Sequence, residues 1–300
     1  MATLSHTACA VDSTEASLAL KQRDRPCYVS AVFVVALARL SGDAEAEAVA
    51  LAKDLGTTTY EARLSLSGGF PALVLSTQDR SRATTLLGSL RARGHSAVAC
   101  DSSAVVASSG MISMRRFELD DSAVIAADRA GDRLSYDDVL ALLPALHKAQ
   151  IESDTQAIVR KFSPGLALAT GGLVMSKART QASHATTTER ERVLYIFRRS
   201  RQPPWILREN STHYTALGAS IAKGRFENFQ QTVSLLRSRA RRATYDEALL
   251  SLRRIPEHAT VEGSASAKTV TISTEAGTDL MAHLLALIVA KRGEATTAYR

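Results

Sequence analysis

Residues 32–40, VFVVALARL, are an almost unbroken apolar run rich in β-branched side chains. Such a run reads as a strand. It falls well short of the roughly 20 apolar residues that a membrane-spanning helix needs, as does DLMAHLLALIVAK (279–291). No transmembrane span is expected, and both runs are taken as buried elements.

The signals that follow the first run come in a definite order. DAEAEAVALAKDLG (43–56) has Asp43 placed as an N-cap and Gly56 as a helix stop, with Ala44, Ala48, Leu51, Ala52 and Leu55 at helical spacing. In LGTTTYEARLSLSGG (55–69), Thr57 or Thr58 caps a short second helix in which Tyr60 and Leu64 share a core-facing side. Gly68-Gly69 ends that helix and Pro71 marks a turn. ALVLST (72–77) then reads as a strand, DRSRATTLLGSLRARG (79–94) as a capped helix with Ala83, Leu86, Leu87 and Leu90 on one stripe, and HSAVACD (95–101) as a strand. Strand, helix, helix, strand, helix, strand gives a small α/β sandwich with its helices packed on a sheet face.

This element order resembles the C-terminal domain of the bacterial ribosomal stalk protein, a fold shared with the Clp protease adaptor. The resemblance rests on Leu55-Gly56, Tyr60-Glu61-Ala62-Arg63, Leu66, Gly69, Pro71, Val74, Ala83, Leu87, Leu90, Gly94 and Val98. It implies a binding module over 29–102. The stalk family presents lysines to translation factors from its first two helices. The equivalent helix here is acidic at Asp43, Glu45 and Glu47 and keeps only Lys53, so no binding residue is carried over.

From 111 to 250 the pattern changes. ISMRRFEL (112–119), SAVIAAD (122–128) and RLSYDDVLALLPAL (133–146) read as a meander with turns at Asp120-Asp121 and RAGD (129–132), the last segment being open to a helix instead of a strand. A partly charged, linker-like stretch at 147–161 leads to further strands in FSPGLALATGGLVMSKA, RERVLYIFRRS and PPWILRENSTHY, with Gly171-Gly172 and Pro203-Pro204 as breakers. FENFQQTVSLLRSRA (226–240) is an amphipathic helix with Phe226, Phe229, Val233 and Leu236 on one face. Strands closed by one helix resemble, in element order, a bacterial pleckstrin-homology-like domain. The remainder, 259–300, reads as a tail: a strand at KTVTIST (268–274) and a helix at TDLMAHLLALIVAKR (278–292). The helix is apolar nearly all round, which calls for burial against another domain or a second subunit.

The expected class is therefore α+β, with residues 1–28 as a flexible leader without the pattern of a secretory signal. Cys9, Cys27 and Cys100 form no metal or disulfide pattern, which suits a reducing, cytoplasmic setting in a bacterium.

Motifs for chemistry are weak. Gly68-Gly69 and Gly171-Gly172 stand outside any phosphate-loop frame, and TGGLVMSK (170–177) lacks the Gly-Lys-Ser/Thr ending, so turns are expected. The histidines lack ligand spacing: His147, His184 and His213 read as surface or loop residues and His283 as a satisfied core histidine. YDD (136–138) and YDE (245–247) read as solvated acids or helix caps. No catalytic, cofactor-binding or metal-ligating residue is assigned, and no cofactor is implied.

The most informative polar feature is basic. With a net charge of +7, Arg115, Arg116, Arg198, Arg199, Arg201, Arg208, Arg237, Arg239, Arg241, Arg242, Arg253 and Arg254 could form one face for a polyanion, either nucleic acid or anionic lipid, with Trp205 and Tyr195 as stacking partners. The competing reading is a solvated basic surface. Taken together, the sequence points to a non-enzymatic binding or adaptor protein that presents two modules to a protein partner, with oligomerisation through the C-terminal helix. A polyanion binder is the first alternative and an enzyme with a dispersed site is the second.

Overall fold

The opening apolar run becomes β1 (Phe33–Arg39) in a computed structural model that describes residues 31–127, 132–162, 176–264 and 267–297. The leader, the RAGD turn and the Gly171-Gly172 segment fall wholly or mainly outside the described residues. β1 lies between β2 (Ala72–Thr77) and β3 (Ser96–Asp101), antiparallel to both. Alternate side chains of a strand point to opposite faces. Val35 and Leu37 pack against α1 (Ala44–Leu55), α2 (Thr59–Leu66) and α3 (Arg80–Ala92), while Val34 and Ala36 are buried on the other side. Burial on both faces is why the run is apolar at every position instead of at every second one.

Local chemistry sets the helix ends. Asp43 accepts from Ala46 N, and Asp79 accepts from Ser81 N and Arg82 N. Thr58 and Glu61 form a reciprocal capping box at the start of α2. Gly56 stops α1 in the left-handed region at φ 69°. One expectation fails here: Tyr60 is 69% exposed, and the face of α2 that reaches the core carries Ala62 and Leu66 instead.

The second sheet is seven-stranded and built on one long antiparallel pair. β8 (Val139–Phe162) pairs with β9 (Ser176–Arg198) from Val139↔Arg198 to Phe162↔Ser176. β10 (Trp205–Arg208) adds to β9, and β4 (Ile112–Ser113) adds in parallel to β10. On the far edge, β13 (Ala267–Ser273) pairs with β8 and β12 (His258–Ser264) pairs with β13, while β11 (Thr244–Tyr245) joins β8 in parallel. The stretch 147–161 is thus no linker but the outer part of a 24-residue strand. Where β9 and β13 satisfy the backbone of β8 from both edges, the side chains can stay polar and solvated. The strand of 259–300 likewise is no tail, because β13 hydrogen-bonds directly to β8.

A meander of β5 (Phe117–Leu119), β6 (Ala123–Ala126) and β7 (Arg133–Ser135) forms a third sheet. Together with α4 (Arg225–Arg239) it covers one face of β8–β10, burying Leu142, Leu194, Ile196, Trp205 and Leu207. Phe229, Val233 and Leu236 of α4 enter this core as expected. Phe226 instead turns outward, where the Arg192 guanidinium lies 4.2 Å from its ring centroid. The pairing register shifts between Val139 and Ala141, and this irregularity is where the strand changes the face it presents to each core.

The opposite face of β8–β10 carries Ala141, Leu143, Ala145, Val193 and Phe197. Against it lies α6 (Glu275–Thr297), which follows the short turn α5 (Ala248–Ser251) and the β12–β13 hairpin. Met281, Leu284, Leu285, Ile288 and Val289 of α6 share one core with that face and with Val34, Ala36 and Val98 of the first sheet. α6 is therefore a central layer, with a sheet on each side and further helices outside both sheets. The apolar helix finds most of its cover within its own chain, with Leu287 left 38% exposed. Among the described residues, no helix is long and apolar enough to cross a membrane.

Close packing at the start of α6 depends on Gly277, where a Cβ would overlap the backbone carbonyl of Pro256. If α6 holds both sheets, Leu284→Ala should lower unfolding stability by about 2–5 kcal/mol. Tyr60→Ala, on the outer surface, should change it by no more than about 0.5 kcal/mol. Urea denaturation followed by circular dichroism measures both.

Candidate functional site

α6 carries two polar residues one turn apart in an otherwise apolar stretch, Asp279 and His283, and both face the connection between the first sheet and the second. Ser108 N donates to Asp279 Oδ2 at 2.7 Å, and the Ser108 hydroxyl donates to Oδ1. Tyr195 donates its hydroxyl proton to Oδ1 at 2.6 Å, so its oxygen is left to accept from His147 Nε2 at 2.7 Å. His283 donates from Nδ1 to Asp279 O at 2.8 Å and accepts from Val106 N at Nε2, 3.2 Å away. The surface position expected for His147 is overturned: it is buried between β8 and α6, because its strand position faces the central core. The core reading of His283 agrees with its two hydrogen bonds.

Electrostatics follow from this burial. Desolvation, then the Asp279 charge, pushes the Tyr195 phenol well above its ordinary range, so it remains a proton donor. Desolvation holds His147 and His283 below their ordinary value, hence neutral near pH 7. Asp279 is 2% exposed and Tyr195 0%, so the carboxylate, phenol and imidazole row is closed to solvent. Its hydrogen bonds are spent on holding residues 105–108 to α6. The sequence signal for it was the Asp279 and His283 pair at i, i+4 in an apolar helix; Ser108 and Tyr195 carried none.

A second buried set lies in the first module. Arg93 donates to both carboxylate oxygens of Glu47, at 2.9 and 2.7 Å, and to Asp54 at 2.7 Å. His95 Nδ1 accepts from Ser41 N at 3.0 Å, which leaves Nε2–H to donate to Glu47 at 2.6 Å. Burial alone would raise the Glu47 carboxyl, but the Arg93 and His95 hydrogen bonds outweigh it and hold the group below the ordinary range. Glu47 is therefore part of a clasp joining α1 to the α3–β3 turn, not part of an acidic surface.

The arginines do not form one face. Arg208 pairs with Glu191 at 3.0 Å and with Glu275, and Arg198 pairs with Asp138 at 2.7 Å. Arg239 donates to Asp120 O at 2.6 Å and to the Tyr136 hydroxyl at 3.1 Å, and the Arg237 guanidinium lies 4.4 Å from the Tyr245 ring centroid. Trp205 and Tyr195 are fully buried, so neither can stack on a base. What the fold does bring together is the turn after β9 and the end of α4: Arg199 Nη2 donates to Arg242 O at 2.7 Å. Arg199, Arg201, Arg241 and Arg242 are all exposed. Asp138, besides pairing with Arg198, accepts from Ser200 N and Oγ, at 2.9 and 2.8 Å, and shapes this turn.

Large apolar side chains are exposed at Ile221, Phe226, Leu250, Val261 and Leu287, and two more stand on the outer side of α1 and α2. Val49 is 56% exposed and Tyr60 69%. Each lies one helical turn from one half of an ion pair that bridges the two helices, Glu45 with Arg63. The result is an apolar centre beside a charged rim.

No protein-family model, curated protein or solved structure matches the chain. The described residues include no group of three His, Cys, Asp or Glu side chains arranged to hold a metal ion. The Cys100 thiol is pushed up to about 11 by burial and then by Asp101, so it stays protonated near neutrality.

Acidification should weaken the fold in two stages. The unfolded chain takes protons at His147 and His283 near 6.5, before the folded chain does, so stability present above that pH falls as pH drops below it toward the lowered folded values. Glu47 and Asp138, held below 4.5 and 3.8, add a further loss at more acid pH. Urea midpoints measured from pH 7.5 to 5 should decline, and His147→Leu should make that decline shallower.

Proposed function

We propose that the chain is a non-enzymatic binding or adaptor protein that engages a protein partner through the outer face of α1 and α2. The observation that carries this reading is the pair of large exposed apolar side chains, Val49 and Tyr60, beside the Glu45 and Arg63 ion pair. Contact surfaces favour an aromatic or aliphatic centre that the partner desolvates, with charges at the rim. The likeness of residues 29–102 to the ribosomal stalk domain and the Clp adaptor belongs to the same proposal, since the stalk family makes its contacts from its first two helices. α1 keeps only one lysine, Lys53, which makes a translation-factor partner of the stalk type a poor fit. The pleckstrin-homology-like reading of 111–250 adds a second module of a binding type.

Photo-cross-linking from position 60 in native lysate tests the reading. A discrete protein adduct should form, and Val49→Glu should abolish it while the melting temperature stays the same. Once the partner is purified, Tyr60→Ala should weaken binding by about 2 kcal/mol, close to thirtyfold. An adduct pattern indifferent to Val49→Glu would count against the proposal.

The juxtaposition of Arg199 with Arg242, flanked by Arg201 and Arg241, favours polyanion contact as a second reading, with nucleic acid or anionic lipid as the partner. Each phosphate contact releases counterions and adds to the salt dependence. Heparin retention should therefore shift to lower salt in Arg199→Gln/Arg241→Gln/Arg242→Gln. Arg208→Gln should shift it little, because that cation is already paired.

A further inference from the structure

After α5, residues 252–257 cross the turn that joins α2 to β2. Arg253 N donates to Gly68 O at 2.9 Å. The segment passes close to both glycines of the turn: a Cβ at Gly68 would lie 3.4 Å from Arg254 Cβ, and one at Gly69 would lie 3.4 Å from Leu252 Cδ2, both at van der Waals contact. Gly69 also adopts φ +98°, a conformation that L side chains rarely take.

Between this turn, the crossing segment, β8 and the residue before α6 lies a groove of about 560 Å³. That volume falls within the range of small-molecule sites, about 300–1,000 Å³. Lys148, Arg253 and Arg254 line it, together with the acid Glu257. All three cations are exposed, and no ion pair among the described residues involves them. Arg93, Arg198 and Arg208, in contrast, are committed to carboxylates. Three cations gathered in a concave site with a single acid leave a net positive potential that draws anions. Two guanidinium forks and one ammonium suit phosphate oxygens in particular. Leu73, Leu252 and Ile255 add an apolar wall.

We propose that this groove binds a small phosphate ester with an apolar body, about the size of a nucleotide. Its phosphates contact Lys148, Arg253 and Arg254, and its body lies against Leu73, Leu252 and Ile255. The site draws on the first module, β8 and the segment before α6, so occupancy cross-braces them. It shares no residue with the α1–α2 face or with the Arg199 and Arg242 end, so its fate is independent of both readings above.

Isothermal titration calorimetry on the full chain, with ATP and inorganic pyrophosphate as probes, tests it. Both should bind saturably at one site, with ATP the tighter. Lys148→Gln and Arg254→Gln should each lose about tenfold or more in affinity, with the unliganded melting temperature unchanged, and Lys148→Arg should retain binding. Arg199→Gln/Arg242→Gln should leave the titration as in the parent chain. Absence of saturable binding by either probe overturns the proposal. So does binding that survives both groove substitutions, or that is lost in the Arg199/Arg242 variant. Equal affinity for the two probes overturns the role given to the apolar wall.

Discussion

A helix that is apolar nearly all round cannot rest on a surface, since each large side chain left in water forgoes about 1.5–3 kcal/mol of burial. α6 meets this constraint by lying between two sheets, with Val34, Ala36 and Val98 on one side and Ala141, Leu143, Val193 and Phe197 on the other. Each sheet in turn needs α6. Without it, β1–β3 would expose one apolar face while α1–α3 covered the other, and β8–β10 would do the same beneath α4 and the meander. Two modules that look separable along the chain therefore share one core, and the last element in sequence is the central one in space.

Placing that helix in the middle also dictates the polar chemistry of the interior. Asp279 is a carboxylate in a nearly dry layer, tolerable only with donors around it. Ser108 N, the Ser108 hydroxyl and the Tyr195 hydroxyl provide them, and His147 completes the row. Ser108 ties the 105–108 connection to α6 and Tyr195 ties β9 to it, so the network fixes where that connection sits. The Glu47, Arg93 and His95 set does the same work for the first module. In both places titratable groups are consumed by the fold, and the groups left open to solvent include Val49 and Tyr60, the arginines near the end of α4, and the cations of the groove beside Gly68 and Gly69.

Much of this was legible where the cause is local. Asp43, Thr58, Asp79, Gly56 and Gly94 mark helix ends through side-chain hydrogen bonds and left-handed backbone, which a few neighbouring residues settle. Apolar spacing located the buried sides of α3 and α4. Legibility ended where pairing is distant. The polar residues of 147–161 gave no strand signal, because β9 and β13 satisfy that backbone whatever the side chains are. Of the arginine set, Arg198 and Arg208 proved to be ion-paired, and the acids that hold them, Asp138, Glu191 and Glu275, lie 60, 17 and 67 positions away in sequence. Tyr195 and Trp205 look alike as exposed or buried aromatics until a sheet assigns them a face.

By itself, the sequence determined the α+β class, the first module's order of strands and helices, and the need of residues 279–291 for burial, since caps, glycine stops and periodicity act over a turn or two. Only the tertiary structure decided what that cover is, which charges are spent in pairs, and that Gly68-Gly69 receives the 252–254 segment and borders a basic groove. Those outcomes depend on contacts between residues far apart in the chain, and a local pattern of side chains carries no record of its distant partner.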